Sequence, residues 1–324
     1  MDRLGPELRE DQALLAHVAA IAASVLRRHG DDPDAAVPTG GWVNPGWMSD
    51  RLVARVGLVP GRMDLRREAH VAAVLPTTVG YPEVVDVGVL DGHEYLLTRR
   101  ISGTNLSSAW PTLNGNKRAD ALRQVWTLAE QVHRVDLTNL EGMDLRSSPF
   151  YSESPADAIA AVRALHVAGL LTGHQTDRLV TQLREFFDAA ASARAVLNHG
   201  DLSIGNAIWD GSRVVGLLDF EFAVTAPVEL DLSELAKHAL GPVERIDDEQ
   251  SPSRSLRQAV VDIVAELPVH ASLLKGYSIL LESWLTRREI GRRPADEIRV
   301  QQSCKLLVAL AEEDGGYLTP LLSL

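Results

Sequence analysis

The stretch NHGDLSIGNAIWDGSRVVGLLDFEFA, Asn198 to Ala223, decides how the chain is read. It threads Asp201, Asn206, Asp219 and Glu221 among two short apolar runs, AIW and VVGLL. Their length and composition predict two strands, joined by the tight turn Asp210-Gly211-Ser212. A carboxylate beside a buried strand costs free energy unless a metal, a cation or a donor satisfies it. Asp201 and Asn206 stand on the loop entering the first strand and Asp219 ends the second, so hairpin pairing predicts that the three gather at one end. One aspartate can then accept a proton from a hydroxyl, while an amide oxygen and the second aspartate hold Mg²⁺, a hard ion that takes oxygen ligands. That set is sufficient for phosphoryl transfer.

Outward from this stretch the chain changes texture once. DQALLAHVAAIAASVLRRHG repeats apolar residues at helical spacing and stops at Gly30, predicting a helix from Asp11 to His29. Short β-prone pieces follow. A turn is expected at Ser49-Asp50, a strand from about Arg51 to Val59, a short helix in DLRREAHVAAVL and a hairpin about Asp91-Gly92. From NKRADALRQVWTLAEQVHRV onward the helical period dominates, with helices over Ala156 to Leu170 and Gln175 to Ala193. Four more follow the hairpin, in ELDLSELAKHAL, SLRQAVVDIVAEL, ASLLKGYSILLESWLTRREI and ADEIRVQQSCKLLVALAEE. The predicted class is α+β: a small antiparallel sheet with helices over residues 1–100, then a mainly helical part over 101–324.

Composition narrows the function. With 324 residues, 45% of them hydrophobic, the chain can build one large domain or two lobes. No run approaches the roughly 18 apolar residues of a membrane span, and the start, MDRLGPELREDQ, has no signal-peptide core, so a cytoplasmic protein is expected. The single cysteine, Cys304, excludes an intrachain disulfide and a cysteine-based zinc site. A net charge of −12 argues against nucleic acid or anionic lipid as the main partner and suits a cationic small molecule. No histidine pair has the HExxH spacing of a metal-dependent hydrolase.

HGDLSIGN followed by LLDFE resembles the catalytic loop and metal motif of the aminoglycoside phosphotransferase family, relatives of the protein kinases. The resemblance implies a bilobal protein-kinase-like fold, with a nucleotide-binding N-lobe over 1–100 and a C-lobe over 101–324. It implies ATP or GTP as phosphoryl donor, Mg²⁺, Asp201 as catalytic base, and Asn206 and Asp219 as metal ligands. His199 would support the loop, and Asp231 in VELDLSELA would brace it from the start of the next helix. PTGGWVN resembles the phosphate-covering loop, which brings in Gly40, Gly41 and Asn44. Arg55 in LVARV stands where the family has its nucleotide-gripping lysine, and Glu68 in RREAHVAAVL where that lysine has its helical partner; no lysine precedes Lys117. YLLTRRISGTNL resembles the hinge, with Thr98 at the gate of the purine pocket and the backbone of Arg99 to Ile101 against the purine edge.

Taken together, these residues predict a small-molecule O-phosphotransferase. The expected acceptor is a hydroxyl of a cationic antibiotic such as an aminoglycoside, an antibiotic-resistance activity. A metabolite kinase acting on a choline- or homoserine-like substrate and a non-catalytic nucleotide-binding protein are the alternatives. Monomer and homodimer are equally compatible with the sequence. On the acceptor side, Val228 to Gln250 carries seven acids against Lys237 and Arg245. Asp247, Asp248 and Glu249, with Glu282 from LLESWL, are expected to attract the acceptor's ammonium groups.

Overall fold

The computed structural model describes residues 11–39, 44–62, 64–143, 145, 149–241, 254–290, 298–312 and 315–322. The first helix, α1 (Gln12–Arg28), starts where the Asp11 carboxylate accepts the amides of Ala13 and Leu14, both at 3.0 Å, and ends with Arg27 and Arg28 against its negative pole. Its apolar face, Val18, Ile21, Val25 and Leu26, packs on the sheet. That sheet is antiparallel, with strands β1 (Val37–Thr39), β2 (Gly46–Met48), β3 (Leu52–Val56), β4 (Val84–Leu90) and β5 (His93–Arg99) in the order β1-β2-β3-β5-β4. The strand expected to reach Val59 ends at Val56. Asp91 and Gly92 turn the β4–β5 hairpin with φ of 53° and 82°, the left-handed pair that a two-residue hairpin demands.

Central β5 is buried on both faces. Tyr95 and Leu97 meet α1, whereas Leu96 meets Leu65 and Ala69 of helix α2 (Asp64–Val74), the two-residue alternation of a pleated strand sorted between two helices.

The chain divides into two compact units. The first comprises Met1–Thr104, Asp136–Asp144 and Ile208–Glu221, so the hairpin of strands Ala207–Trp209 and Val214–Leu217 belongs almost wholly with the N-terminal sheet. Gly216 permits this: a Cβ there would lie 2.2 Å from the Gly80 carbonyl oxygen, so only a glycine lets the hairpin backbone approach so closely.

The second unit comprises Asn105–Val135, Leu145–Ala207 and Phe222–Leu324. Its helices are α3 (Leu106–Ala109), α4 (Gly115–His133), α5 (Pro155–Val167), α6 (Gly173–Ala190), α7 (Glu229–Leu240), α8 (Arg254–Ala265), α9 (Ala271–Ile290), α10 (Ile298–Glu312) and the short α11 (Thr319–Leu322). A strand pair, Val196–Asn198 with Val224–Ala226, lies among them. No helix among the described residues is long and apolar enough to cross a membrane.

Candidate functional site

In the first unit the chemistry gathers on one guanidinium. Arg55 points from β3; its Nη1 donates to Oε1 and Oε2 of Glu68 at 2.8 and 2.6 Å, and its Nη2 to Asp219 Oδ1 at 2.7 Å. Glu221 Oε2 is 3.7 Å from the same Nη2. Burial favours a neutral Arg55, but the charges of Asp219, Glu68 and Glu221 outweigh it and hold the group firmly protonated. Glu68, from α2, has no exposed surface and also accepts Tyr81 Oη at 2.9 Å and the Phe220 amide at 3.3 Å. Burial raises its pKa, with Arg55 opposing. Glu221 is pushed up further, first by burial and then by Asp219, and accepts a hydrogen bond from Asn44 Nδ2. Arg67 donates to the Glu221 carbonyl and, at 3.2 Å, to Asp64. Asp219 itself has φ of 66°, a left-handed conformation that aspartate tolerates better than most residues and that turns the chain sharply out of the strand.

In the second unit the loop after Val196–Asn198 carries Asp201 and Asn206. Asn206 Nδ2 donates to the Asp201 carbonyl at 2.9 Å and to its Oδ2 at 3.1 Å, which orients the amide and leaves its oxygen as the group able to meet a cation. Asp231, fully buried in the first turn of α7, accepts the amides of His199 and Gly200 at 2.9 and 3.1 Å and lies 2.9 Å from His133 Nε2. Burial would raise Asp231, yet the hydrogen bond and charge of His133 and the His199 contacts keep it below the usual carboxylate range. Gly200 has φ of 81°, and a Cβ on it would lie 1.9 Å from the Phe222 carbonyl oxygen. The HGD spelling therefore places a glycine where no side chain fits.

Beside Asp201 stands a second acid that sequence reasoning counted only among the seven of Val228 to Gln250 and did not place in the site. Glu234, one turn after Asp231 on α7, is raised to about 8 by burial and then by the charge of Asp201, and it accepts a hydrogen bond from Tyr151 Oη. Tyr151 also lines a cavity of about 280 Å³ with Phe186, Phe187, Tyr277 and Leu280.

The remaining expected residues fall as follows. Thr98 is buried on β5 opposite Val53, and the Arg99 amide is already committed to the Glu83 carbonyl at 2.9 Å. Ile101 approaches Gly216, within 3.4 Å of its virtual Cβ. Asn44 is turned inward to Glu221. Glu282 is 1% exposed and lies 2.6 Å from Lys237 Nζ, so an internal lysine already neutralises the carboxylate expected to meet an acceptor's ammonium. Gly40, Gly41, Asp247, Asp248 and Glu249 lie outside the described residues.

The sequence profile described as the phosphotransferase enzyme family matches residues 46–255. None of the curated proteins compared matches the chain. Among solved structures, aminoglycoside 2'-phosphotransferase-IIIa in its GDP complex is similar with a TM-score of 0.62 at 14% identity, over 86% of this chain and 92% of that one. Aminoglycoside phosphotransferase APH(4)-Ia gives 0.61 at 15%, over 91% and 99%. APH(3'')-Id from Streptomyces rimosus ATCC10970 gives 0.56 at 17%, over 82% and 98%. The α+β fold is theirs, and the profile covers well over half of the chain, including the loop, the hairpin and the acids around Arg55. The chain thus belongs to the phosphotransferase enzyme family, the small-molecule kinases that phosphorylate a hydroxyl.

Proposed function

We propose that the protein transfers the γ-phosphoryl group of ATP or GTP to a hydroxyl of a cationic antibiotic such as an aminoglycoside. The observation that carries this reading is the braced loop: Asp201 is held by Asn206 from its own loop, while Asp231 fixes the two amides before it. Such a base needs a fixed carboxylate close to the attacking hydroxyl, because a loose phosphoryl-transfer transition state depends mainly on orienting the nucleophile, whose proton the carboxylate then accepts. The Asn206 amide oxygen and the Asp219 carboxylate are each hard oxygen donors of the kind Mg²⁺ takes. When bound, that ion would neutralise charge on the transferring phosphates. Arg55 and Glu68 serve the nucleotide side, and Thr98 with the Ile101 backbone the purine, the amides of Arg99 and Arg100 being bonded to the Glu83 and Arg51 carbonyls.

Support for the acceptor class comes from neighbours of the same fold whose structures hold hygromycin B with ADP, or kanamycin with GDP, and from the net charge of −12. The alternatives remain a metabolite kinase and a nucleotide-binding protein without turnover. Purified protein offered a panel of cationic antibiotics, choline and homoserine with ATP or GTP and Mg²⁺ decides among them. Asp201→Ala is expected to lower turnover by roughly 10² or more with little change in nucleotide affinity. Near-normal turnover in a folded Asp201→Ala protein would remove Asp201 from its role.

A further inference from the structure

The residue that departs from the family pattern also has an unusual set of partners. A lysine ammonium is a compact point charge, whereas a guanidinium offers terminal nitrogens in a rigid fork. Arg55 uses both prongs on acids: Nη1 on Glu68, Nη2 on Asp219, with Glu221 at 3.7 Å from the latter. The two contacts differ in access. Glu68 has a side chain with 0% exposure, while that of Asp219 is 31% exposed. Arg67, the neighbouring cation, is directed to Asp64 and the Glu221 carbonyl, so Arg55 is the guanidinium that the three carboxylates share. Among the described residues no group of three or more His, Cys, Asp or Glu side chains is arranged to hold a metal ion, and these acids converge on the guanidinium instead.

We propose that Arg55 is a positioning residue that acts as the built-in counter-cation of the nucleotide-free site. Its inner prong anchors Glu68 permanently, and its outer prong occupies Asp219 until a divalent ion displaces it. The inference rests on the reading of Asp219 as a metal carboxylate. A free divalent ion must compete with a resident positive charge at 2.7 Å from that carboxylate, whereas an ion arriving with a nucleotide brings phosphate oxygens that give the released prong a new partner. The arginine would thereby couple metal entry to nucleotide entry, a linkage in which each favours the other.

The test is Mn²⁺ binding to the nucleotide-free protein, followed by the electron paramagnetic resonance signal of the free ion. Wild type is expected to bind Mn²⁺ weakly. Arg55→Gln should gain roughly tenfold in Mn²⁺ affinity, as expected when a charge competing at contact distance is removed, and should lose affinity for metal-free ATP. A phosphate-gripping role alone predicts the second change without the first, so a folded Arg55→Gln protein with unchanged Mn²⁺ affinity overturns the proposal. Should Arg55→Gln not fold, Arg55→Lys decides, since one ammonium cannot hold Glu68 and Asp219 with the same fork: Mn²⁺ affinity should rise, by less than in Arg55→Gln because the charge is kept, and equality with wild type overturns the proposal. Asp219→Asn added to the tighter variant must abolish the gain; a gain that persists places the ion elsewhere and overturns it too. Asp219→Asn alone separates the premise from the inference. Intact magnesium-dependent turnover in that variant would refute Asp219 as a metal carboxylate, whereas lost turnover combined with no gain in Arg55→Gln would refute only the counter-cation.

Discussion

Glu234 shows how far a single residue can be moved by its surroundings. Its pKa rises from 4.5 to about 8 because burial and the Asp201 charge both oppose ionisation, against a hydrogen bond from Tyr151. The folded state therefore holds a proton that the unfolded chain releases near its ordinary value. This contribution to stability is fully present below about pH 4.5 and is lost progressively as pH rises to about 8. Glu234→Gln, which cannot ionise, should lack that slope, so the difference in Tm between variant and wild type should widen in favour of the variant across this window. Parallel Tm curves would remove Glu234 from the ledger. At this scale spacing singled out Asp201, Asn206 and Asp219 as candidates, and family likeness Arg55 and Glu68. It did not disclose Tyr151, which lies 83 positions from Glu234, or His133, 98 positions from Asp231. Contacts over such separations depend on how helices pack, and no local pattern records that.

Among elements, the loop between Asn198 and Ala207 depends most on its backbone. Gly200→Ala would put a methyl group into the Phe222 carbonyl at a positive φ. The positive φ alone costs about 1–3 kcal/mol for a non-glycine residue and the backbone clash adds to it, so, since the loop presents Asp201, turnover should fall together with stability. Urea unfolding and steady-state kinetics on the same sample check this; a variant with unchanged Cm and unchanged turnover would contradict the tight packing. Long periodic elements were legible: α1 begins beside the predicted Asp11 and stops before the predicted His29. The pair Val196–Asn198 and Val224–Ala226 was not, because strands of three residues, far apart in the sequence, are too short to show alternation. Helix α5 ends at Val167, short of the expected Leu170, where Gly169 takes a φ of 76° and the chain leaves the helix.

For the whole molecule, net charge is the property that bears on the acceptor. With Glu282 neutralised by Lys237, the proposed attraction of a cationic acceptor rests on Asp247, Asp248 and Glu249, which lie outside the described residues. Replacing all three by their amides should raise the acceptor KM, flatten its dependence on salt and leave the nucleotide KM nearly unchanged, because attraction of a cation by net charge is screened by salt. Equal acceptor kinetics in variant and parent at low salt would exclude that loop from recognition. The α+β class was readable from the change of texture along the chain, but the membership of Ile208–Glu221 in the first unit was not, since it rests on the close approach of Gly216 to Gly80. The Asp231 brace has a further consequence for the molecule's opening motions. His199 and Gly200 sit in a segment without regular structure, where amide protons ordinarily exchange with solvent quickly. Because both are tied to a buried carboxylate on α7, their exchange requires that helix to part from the loop, so in deuterium-labelling experiments they should be protected as strongly as helix-interior amides. Fast labelling at these two positions would mean that the tether opens without the helix.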